Sequence, residues 1–304
     1  MPLIKEILEK IEYTEFAGDA GVIINELIPL DENNMRQDVL FWCNEKNIDK
    51  LKELRAGTVI LPLSAKDKIK IQPQVNYIFC HQPRLSFMHV LKEFFAPSKS
   101  TNTGSNNIIH PSVKMGKNVI LGEYNVIEEN CIIGDNVVIG HNNVIGWGTV
   151  IENNVVIGSN NTIGGDGFGY EKNKQGKYEK IPHIGNVVIR KNVEIGNNNC
   201  IDRAVLGSTV LGENVKVDNL VHIAHGVQIE ENSLVIAHAM IGGSAQIGKN
   251  VWIAPGALII NKGKIEDNAL IGMGAVVIKN VGKNQVVAGN PAKFLKNLDD
   301  DSGT

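Results

Sequence analysis

The stretch VIGHNNVIGWGTVIENNVVIG, residues 138–158, decides the fold, because an aliphatic residue recurs in it at every sixth position. The register runs through Ile139, Ile145, Ile151 and Ile157, and Gly or Glu follows each of them. A period of six fits neither an α-helix of 3.6 residues per turn nor a strand with two alternating faces. It indicates very short strands that are joined by tight turns and stacked into a repeating coil.

The same register covers most of the chain. It reaches from Ile109 to Ile163, resumes at Ile189, and then runs without a break from Leu211 to Val277. Asn and Gly recur at the turns, where they tolerate left-handed backbone angles. We therefore expect Ile and Val to form ladders along the axis of a parallel β-helix.

Changes in composition and in apolar spacing along the 304-residue chain predict four parts. Residues 1–96 mix apolar strand patterns with helical spacing, as in PLIKEILEKIE, and predict a small α/β domain. Residues 97–108 are a polar linker, and residues 109–285 are the β-helix. Residues 286–304 form a tail with at most a short C-terminal helix, because Pro291 breaks the register. The expected fold class is mainly β.

One segment, GDGFGYEKNKQGKYEKIPHIGN at residues 165–186, interrupts the register and is polar and rich in Lys. Loops that interrupt a solenoid often build its binding surface. The alternative is a surface insertion that the coil merely tolerates. We predict that this segment contributes to the functional site.

Composition excludes several classes of function. The net charge is −3 at pH 7 and Lys and Arg do not cluster, which argues against binding of nucleic acid or an anionic membrane. No run of 18 apolar residues occurs, so no transmembrane segment is expected. The four cysteines show no CxxC spacing, and we expect reduced thiols in a cytoplasmic protein.

Four segments give the chain a family resemblance. They are IGGDGFGY (163–170), KIPHIG (180–185), CIDRAVLG (200–207) and DNLVHIAHGV (218–227). In this order within hexads they resemble the UDP-3-O-acylglucosamine N-acyltransferases, the lipid A pathway family that moves a hydroxyacyl chain from acyl carrier protein to a sugar amine. GVIINELIPLDE and DVLFWCNEKN resemble that family's uridine-binding domain. The resemblance implies a left-handed β-helix with 18-residue coils and a homotrimer with its active sites between subunits.

The resemblance also implies a catalytic pair. His225 matches the general base, and an imidazole with a near-neutral pKa suits the removal of a proton from an attacking sugar amine. Gly243 stands one coil further on and matches the glycine whose backbone N–H binds the oxyanion. The alternatives are a structural histidine and an ordinary turn glycine. No metal and no permanently bound cofactor are expected.

Substrate-binding positions are carried over in the same way. Asn219 and His222 correspond to sugar-contacting residues, while Asp218 either orients an imidazole or only shapes a turn. In the N-terminal domain, Phe41 and Asn44 match residues that stack on uracil and hydrogen-bond to it. A core role for Phe41 is the alternative, because stacking requires an exposed aromatic face.

Three departures from the family affect the substrate prediction. The family's second histidine falls on Lys262, its second uracil-stacking aromatic falls on Asn47, and its C-terminal helical bundle is missing. VVAGNPAKFLK resembles instead the ending of enzymes that use acetyl-CoA. The main prediction is therefore transfer of an acetyl or short acyl group from acyl-CoA to a nucleotide-linked amino sugar. The alternative is the lipid A reaction with acyl carrier protein as the donor.

Two other classes of protein are alternatives to these predictions. A zinc enzyme with three histidine ligands is not expected, because His222 and His225 straddle a hexad boundary and His238 lies off the 18-residue stack. A β-helix used only for assembly would need neither the uridine-domain resemblance nor the interrupting loop.

Overall fold

The computed structural model describes residues 1–30, 36–96 and 103–298. The chain divides into two compact units, Met1–Ser100 and Thr101–Thr304. Each unit has its own hydrophobic core. The first is the expected small α/β domain, and the second is the β-helix.

The first unit is built on one sheet with the strand order β1-β5-β4-β3-β2 in its described part. Its strands are β1 (Glu15–Ala17), β2 (Glu26–Leu27), β3 (Val39–Trp42), β4 (Gly57–Pro62) and β5 (Val75–Cys80). Its helices are α1 (Ile4–Leu8), two 3-10 helices (Glu45–Glu53 and Leu63–Lys68), α2 (Pro83–Val90) and a π-helical turn (Leu91–Phe95). β1 pairs antiparallel with β5, and the other pairs are parallel. One apolar cluster packs on each side of the sheet.

The second unit winds through three parallel sheets, named here faces 1, 2 and 3 in the order in which each coil meets them. Face 1 consists of Ile108–Ile109, Val126–Ile127, Val144–Ile145, Thr162–Gly165, Cys200–Asp202, His222–Ile223, Met240–Ile241, Leu258–Ile259 and Val276–Val277. Face 2 consists of Lys114–Met115, Ile132–Ile133, Val150–Ile151, Asn186–Ile189, Ser208–Leu211, Gln228–Ile229, Gln246–Ile247 and Lys264–Ile265. Face 3 consists of Ile120–Leu121, Val138–Ile139, Val156–Ile157, Glu194–Ile195, Lys216–Val217, Leu234–Val235, Trp252–Ile253, Leu270–Ile271, Gln285–Ala288 and Lys293–Asn297.

The hexad register explains this architecture residue by residue. In most strands the second residue is the hexad aliphatic and is buried, as Ile145 is, while the first, here Val144, points outward. Turn asparagines adopt left-handed angles, for example Asn136 with φ 56°, which asparagine tolerates better than most residues. Buried asparagines form their own ladder, in which Asn143 Nδ2 donates to Asn125 Oδ1 at 3.0 Å. The ladder provides hydrogen-bond partners for the asparagine side chains that are buried at the edge between faces 3 and 1.

Both interruptions of the register lie at the same edge, between faces 1 and 2. The insertion leaves after Thr162–Gly165 and contains a hairpin of Tyr170–Lys172 and Tyr178–Lys180. The second interruption, a shift of four extra residues between the hexad positions Ile201 and Leu211, occupies the loop between Cys200–Asp202 and Ser208–Leu211. This edge, called edge 1–2 below, is where the regular coil gives way to irregular backbone.

The predicted short C-terminal helix is wrong. The chain reverses at Gly289, which has φ 97°, and Lys293–Asn297 then pairs antiparallel with Gln285–Ala288. Pairing gives partners to backbone groups that an edge strand leaves open. The β-helix thus extends beyond the predicted boundary at residue 285, and residues 299–304 lie outside the described residues.

The start of the β-helix also differs from the prediction. Residues 97–102 of the predicted linker lie outside the described residues. Its remaining part already belongs to the coil, because Gly104 N–H donates to the Leu121 carbonyl at 2.8 Å and a strand begins at Ile108. Within the described residues, no helix has the length and apolar character needed to cross a membrane.

Candidate active site

His225 lies on edge 1–2, between strands His222–Ile223 on face 1 and Gln228–Ile229 on face 2. The turn is fixed by Gly226, whose φ is 71° and whose N–H donates to Thr209 Oγ1 at 2.8 Å. The buried hexad aliphatics on both sides leave the His225 side chain at the corner, where it is half-buried. A partly desolvated imidazole at an accessible corner is suited to proton transfer.

Gly243 lies directly against the ring of His225, as the 18-residue spacing predicts. Ile223 pairs with Ile241, and Ser244 N–H donates to the His225 carbonyl at 2.9 Å. A Cβ placed on Gly243 would lie 2.8 Å from His225 Nε2 and 2.9 Å from its Cε1. The absence of a side chain at Gly243 therefore gives Nε2 its room.

The N–H of Gly243 already has a partner, which the sequence analysis missed. It donates to Asn261 Oδ1 at 3.0 Å. The same arrangement recurs elsewhere in the coil, where the N–H of Asp135 donates to Asn153 Oδ1 at 2.8 Å. The signal in the sequence is an amide side chain 18 residues after the donor.

The insertion brings a second imidazole to His225. The rings of His183 and His225 are 5.2 Å apart between centroids and meet edge to face at 73°. His183 is buried, and its Nδ1 lies 2.8 Å from the Ile181 carbonyl. His183 stands outside the hexad register, so periodicity gave no signal for it.

Arg203 fastens the insertion to edge 1–2. The guanidinium is buried, donates from Nε to the Gly164 carbonyl at 2.6 Å, and lies 4.3 Å from the centre of the Trp147 ring. Its Nε is also 3.8 Å from Asp166 Oδ1, and Asp166 in turn pairs with Lys180 at 2.5 Å. The hydrogen bond from Lys180 is the main reason why the pKa of Asp166 is lowered. The insertion is therefore held at both ends of its hairpin.

The electrostatics of edge 1–2 favour a neutral His225. Burial, and after it the nearby His183, lower the pKa of His225. Burial also raises the pKa of Asp202, against the opposing effects of His222 and His183. His222 Nε2 lies 3.7 Å from Asp202 Oδ2 on face 1.

Asp218 and Asn219 lie at a different edge, between faces 3 and 1. Asp218 accepts from Asn219 Nδ2 at 2.8 Å and from the Ala237 N–H at 3.2 Å. Asn219 Oδ1 accepts from the Asn197 N–H at 2.7 Å. These hydrogen bonds place Asp218 in a turn of its own chain, and its other predicted role, the orientation of an imidazole, stays a prediction. Within one chain, strand His222–Ile223 separates both residues from the base.

The prediction that Phe41 stacks on a nucleobase is wrong, because its side chain is fully buried in the core of the first unit. Alternation along β3 turns the next residue, Trp42, to the opposite face, where it is partly exposed. Trp42 lines a cavity of about 570 Å³ together with Asn44, Arg84 and Met88. Asn44 uses its Oδ1 to accept the Asn47 N–H at 3.2 Å, which caps a 3-10 helix.

The described residues contain no cluster of three or more His, Cys, Asp or Glu side chains placed to hold a metal ion. The zinc-site alternative therefore has no candidate ligand set in that part of the chain. All four cysteines are free thiols.

Comparisons with known proteins find the same hexapeptide repeat and name relatives of this chain. The family model "Bacterial transferase hexapeptide (six repeats)" matches residues 112–146 and 208–243. UDP-3-O-acylglucosamine N-acyltransferase of Syntrophotalea carbinolica is 45% identical over 262 residues, which cover 80% of this chain and 74% of that protein. The Helicobacter pylori enzyme of the same name is 38% identical over 245 residues, or 76% of this chain and 71% of its own.

Solved structures give the fold. UDP-N-acetylglucosamine acyltransferase from Campylobacter jejuni superposes with a TM-score of 0.55 at 19% identity, covering 63% of this chain and 73% of that chain. The Francisella novicida protein superposes with a TM-score of 0.58 at 24% identity, covering 64% and 69%. At this level of identity the likeness shows the β-helix fold alone.

Proposed function

Because this chain belongs to the family of UDP-3-O-acylglucosamine N-acyltransferases, we propose that it transfers an acyl group from a thioester to the amine of a UDP-linked, 3-O-acylated glucosamine. The curated relatives favour this lipid A reaction over the main sequence prediction of acetyl transfer from CoA. The observation that carries the proposal is the contact between His225 Nε2 and Gly243 at the edge where the insertion docks.

The chemistry needs one base and one oxyanion donor. The neutral sugar amine attacks the thioester carbonyl carbon, and His225 Nε2 accepts the proton that the amine loses as the C–N bond forms. The C–S bond then breaks, and the proton on His225 returns to the departing thiolate. General-base catalysis of this kind contributes about 10²–10⁴-fold. No covalent enzyme intermediate and no bound cofactor enter this sequence of steps.

The oxyanion donor proposed here is the N–H of Gly243. Its present acceptor, Asn261 Oδ1, must leave before the N–H can bind the developing charge. The Asn261 side chain is exposed, so it has room to swing away. A backbone donor of this kind contributes about 10²–10³-fold when it is in place.

The acyl donor is tested by measuring thiol release with two pairs of substrates. One assay offers UDP-3-O-acylglucosamine with 3-hydroxyacyl carrier protein, and the other offers UDP- and dTDP-linked amino sugars with acetyl-CoA. We expect turnover in the first assay only. Turnover confined to acetyl-CoA would contradict the lipid A proposal and restore the CoA-dependent prediction.

We further propose that the enzyme is a homotrimer. In the described part of face 1 the first, outward residue of each strand is never Lys, Arg, Asp or Glu, and Asp202 is the one acidic side chain within these strands. From end to end the outward residues are Ile108, Val126, Val144, Thr162, Cys200, His222, Met240, Leu258 and Val276. The outward side chains of face 2 include Lys114 and Lys264, and those of face 3 include Glu194 and Lys216. A face with so few charged side chains suits burial against another copy.

Assembly would also complete the site. Asn219 sits one face away from His225 in its own chain, so a neighbouring copy must supply it if it is to contact the same sugar. Sedimentation equilibrium should give about three times the 33.1 kDa chain mass. We place the reaction in the cytoplasm, because the free cysteines favour a reducing compartment.

The lowered pKa of His225 predicts how activity depends on pH. A histidine whose pKa lies below its ordinary value of 6.5 stays neutral, and so active as a base, at a lower pH than usual. We expect kcat/KM to fall on acidification with a midpoint below 6.5. A midpoint above that value, in an assay where chemistry limits the rate and after the separately titrated ionisation of the free sugar amine is divided out, would contradict the assignment.

The N-terminal unit offers a matched pair of substitutions. Trp42→Ala is expected to raise KM for the nucleotide sugar about tenfold, because base–aromatic stacking contributes roughly 1–3 kcal/mol. Phe41→Ala should instead lower the stability of the unit by about 3–5 kcal/mol, since it empties a core site. Steady-state kinetics and thermal melting separate the two effects. An unchanged KM in Trp42→Ala would remove the stacking role.

A further inference from the structure

We propose that His183 is a positioning residue for His225, holding the ring of the base from behind and coupling it to the insertion at residues 165–186. The proposal rests on the proposed role of His225 as general base. It assigns to the insertion a function that the hexad repeat does not supply, because within the described residues the second imidazole against His225 comes from the insertion.

Close packing on the rear of His225 is the first observation. His183 meets it edge to face with centroids 5.2 Å apart. Gly167 lies against both residues, and a Cβ there would come within 2.7 Å of His183 Nε2 and 2.9 Å of His225 Cβ. Gly169 leaves similar room, since its Cβ would lie 3.0 Å from His183 Cε1. Gly167 and Gly169 therefore leave the space that the His183 ring occupies.

The hydrogen bonding of His183 is the second observation. The Ile181 carbonyl can only accept, so Nδ1 of His183 carries a proton in their 2.8 Å contact, and in the neutral form of the ring Nε2 carries a lone pair. That Nε2 is buried and has no hydrogen-bond partner among the described residues. An unsatisfied buried acceptor costs stability and calls for an explanation. The position of His183 beside the proposed base supplies that explanation.

The charge of the pair is the third observation. Two imidazoles in contact resist being protonated together, so each protonation opposes the other. The charged and titratable groups around them are Asp202 and His222 on face 1, Asp166 and Lys180 from the insertion, and Arg203 from the register shift. His183 contributes to the lowered pKa of His225, after burial. Removal of His183 should therefore raise the pKa of the base.

The test compares His183→Gln and His183→Ala with the wild-type trimer. Gln keeps an N–H for the Ile181 carbonyl but loses the second titrating ring, whereas Ala loses both. We expect kcat to fall about tenfold to a hundredfold, since small misplacements of a catalytic group have effects of that size. KM should stay within about twofold, because His183 is buried and does not reach substrate. The acid limb of the kcat/KM profile should move to higher pH in both variants.

His110→Gln is the matched control, because His110 lies on the same edge several coils away and its Nδ1 is 2.8 Å from Ser112 Oγ. Its pH profile should superimpose on that of the wild type. If the His183→Gln profile also superimposes, with kcat unchanged, His183 only fills space and the proposal is overturned.

A second measurement does not depend on turnover. Histidine labelled with ¹³C at Cε1 gives eight imidazole signals per chain, and the His225→Ala spectrum assigns the base. In His183→Gln the titration of the His225 signal should move to higher pH. If the wild type turns over no amino sugar, the proposed function fails while this titration still decides the coupling. An unmoved His225 titration would reject the coupling even in an active enzyme.

Discussion

His225→Ala is expected to lower kcat at least a hundredfold while the protein remains folded. The side chain is half-buried at a corner and carries no core packing, whereas the aliphatic ladder beside it is untouched. Loss of a general base removes about 10²–10⁴-fold of the rate. Steady-state kinetics with the preferred acyl thioester measure the loss, and thermal melting reports the fold.

Two controls sharpen this result. His141→Ala removes an exposed imidazole at another edge of the coil, where it accepts the Glu123 N–H at 2.9 Å, and should leave kcat within about twofold. Added imidazole should restore part of the activity of His225→Ala, because the lost group only carries a proton. A nearly active His225→Ala enzyme would end the assignment of the base.

The part of the site that repeats could be predicted from sequence, because a coil of fixed length converts spacing into contact. Residues 18 apart stack at the same corner, so Gly243 falls on His225 without any knowledge of side-chain packing. The same rule would have found Asn261, one coil further on. Periodicity is a strong guide where each coil contacts only its neighbours.

Residues outside the repeat could not be placed in this way. His183 and Arg203 sit where the register breaks, and nothing in the hexads says how the insertion folds back onto edge 1–2. The prediction for Phe41 was wrong for a different reason. Apolar clusters cover both sides of this sheet, so Phe41 is buried in one of them, whereas Trp42, at the end of β3 and packed against the other, stays partly exposed.

The C-terminal hairpin shows a third limit. Propensity near Pro291 favoured a short helix at best, but the last coil of face 3 leaves a strand edge that the following segment can pair with. Only the tertiary structure makes that edge available. Local sequence therefore predicted a break at the right place and the wrong structure after it.

Gly243→Ala is expected to reduce kcat about 10²–10³-fold, as large an effect as the loss of an oxyanion donor, although it leaves the Gly243 N–H in place. The backbone of Gly243 lies outside the left-handed region, so alanine fits its φ. The new methyl group would stand 2.8 Å from His225 Nε2, and real side chains do not approach that closely. The imidazole must therefore turn away from the position where it receives the proton.

A double substitution separates this steric effect from damage to the coil. The clash should also lower the thermal stability of Gly243→Ala. In Gly243→Ala with His225→Ala the clash is gone, so stability should return while activity stays low. Such non-additivity is the mark of two groups in contact. If Gly243→Ala keeps wild-type kcat, the ring of His225 does not work where it lies against Gly243, and the assignment of His225 Nε2 as the base in this position falls. If stability does not recover in the double variant, the methyl group strains the coil itself, and the contact with Nε2 is not what makes glycine necessary at this position.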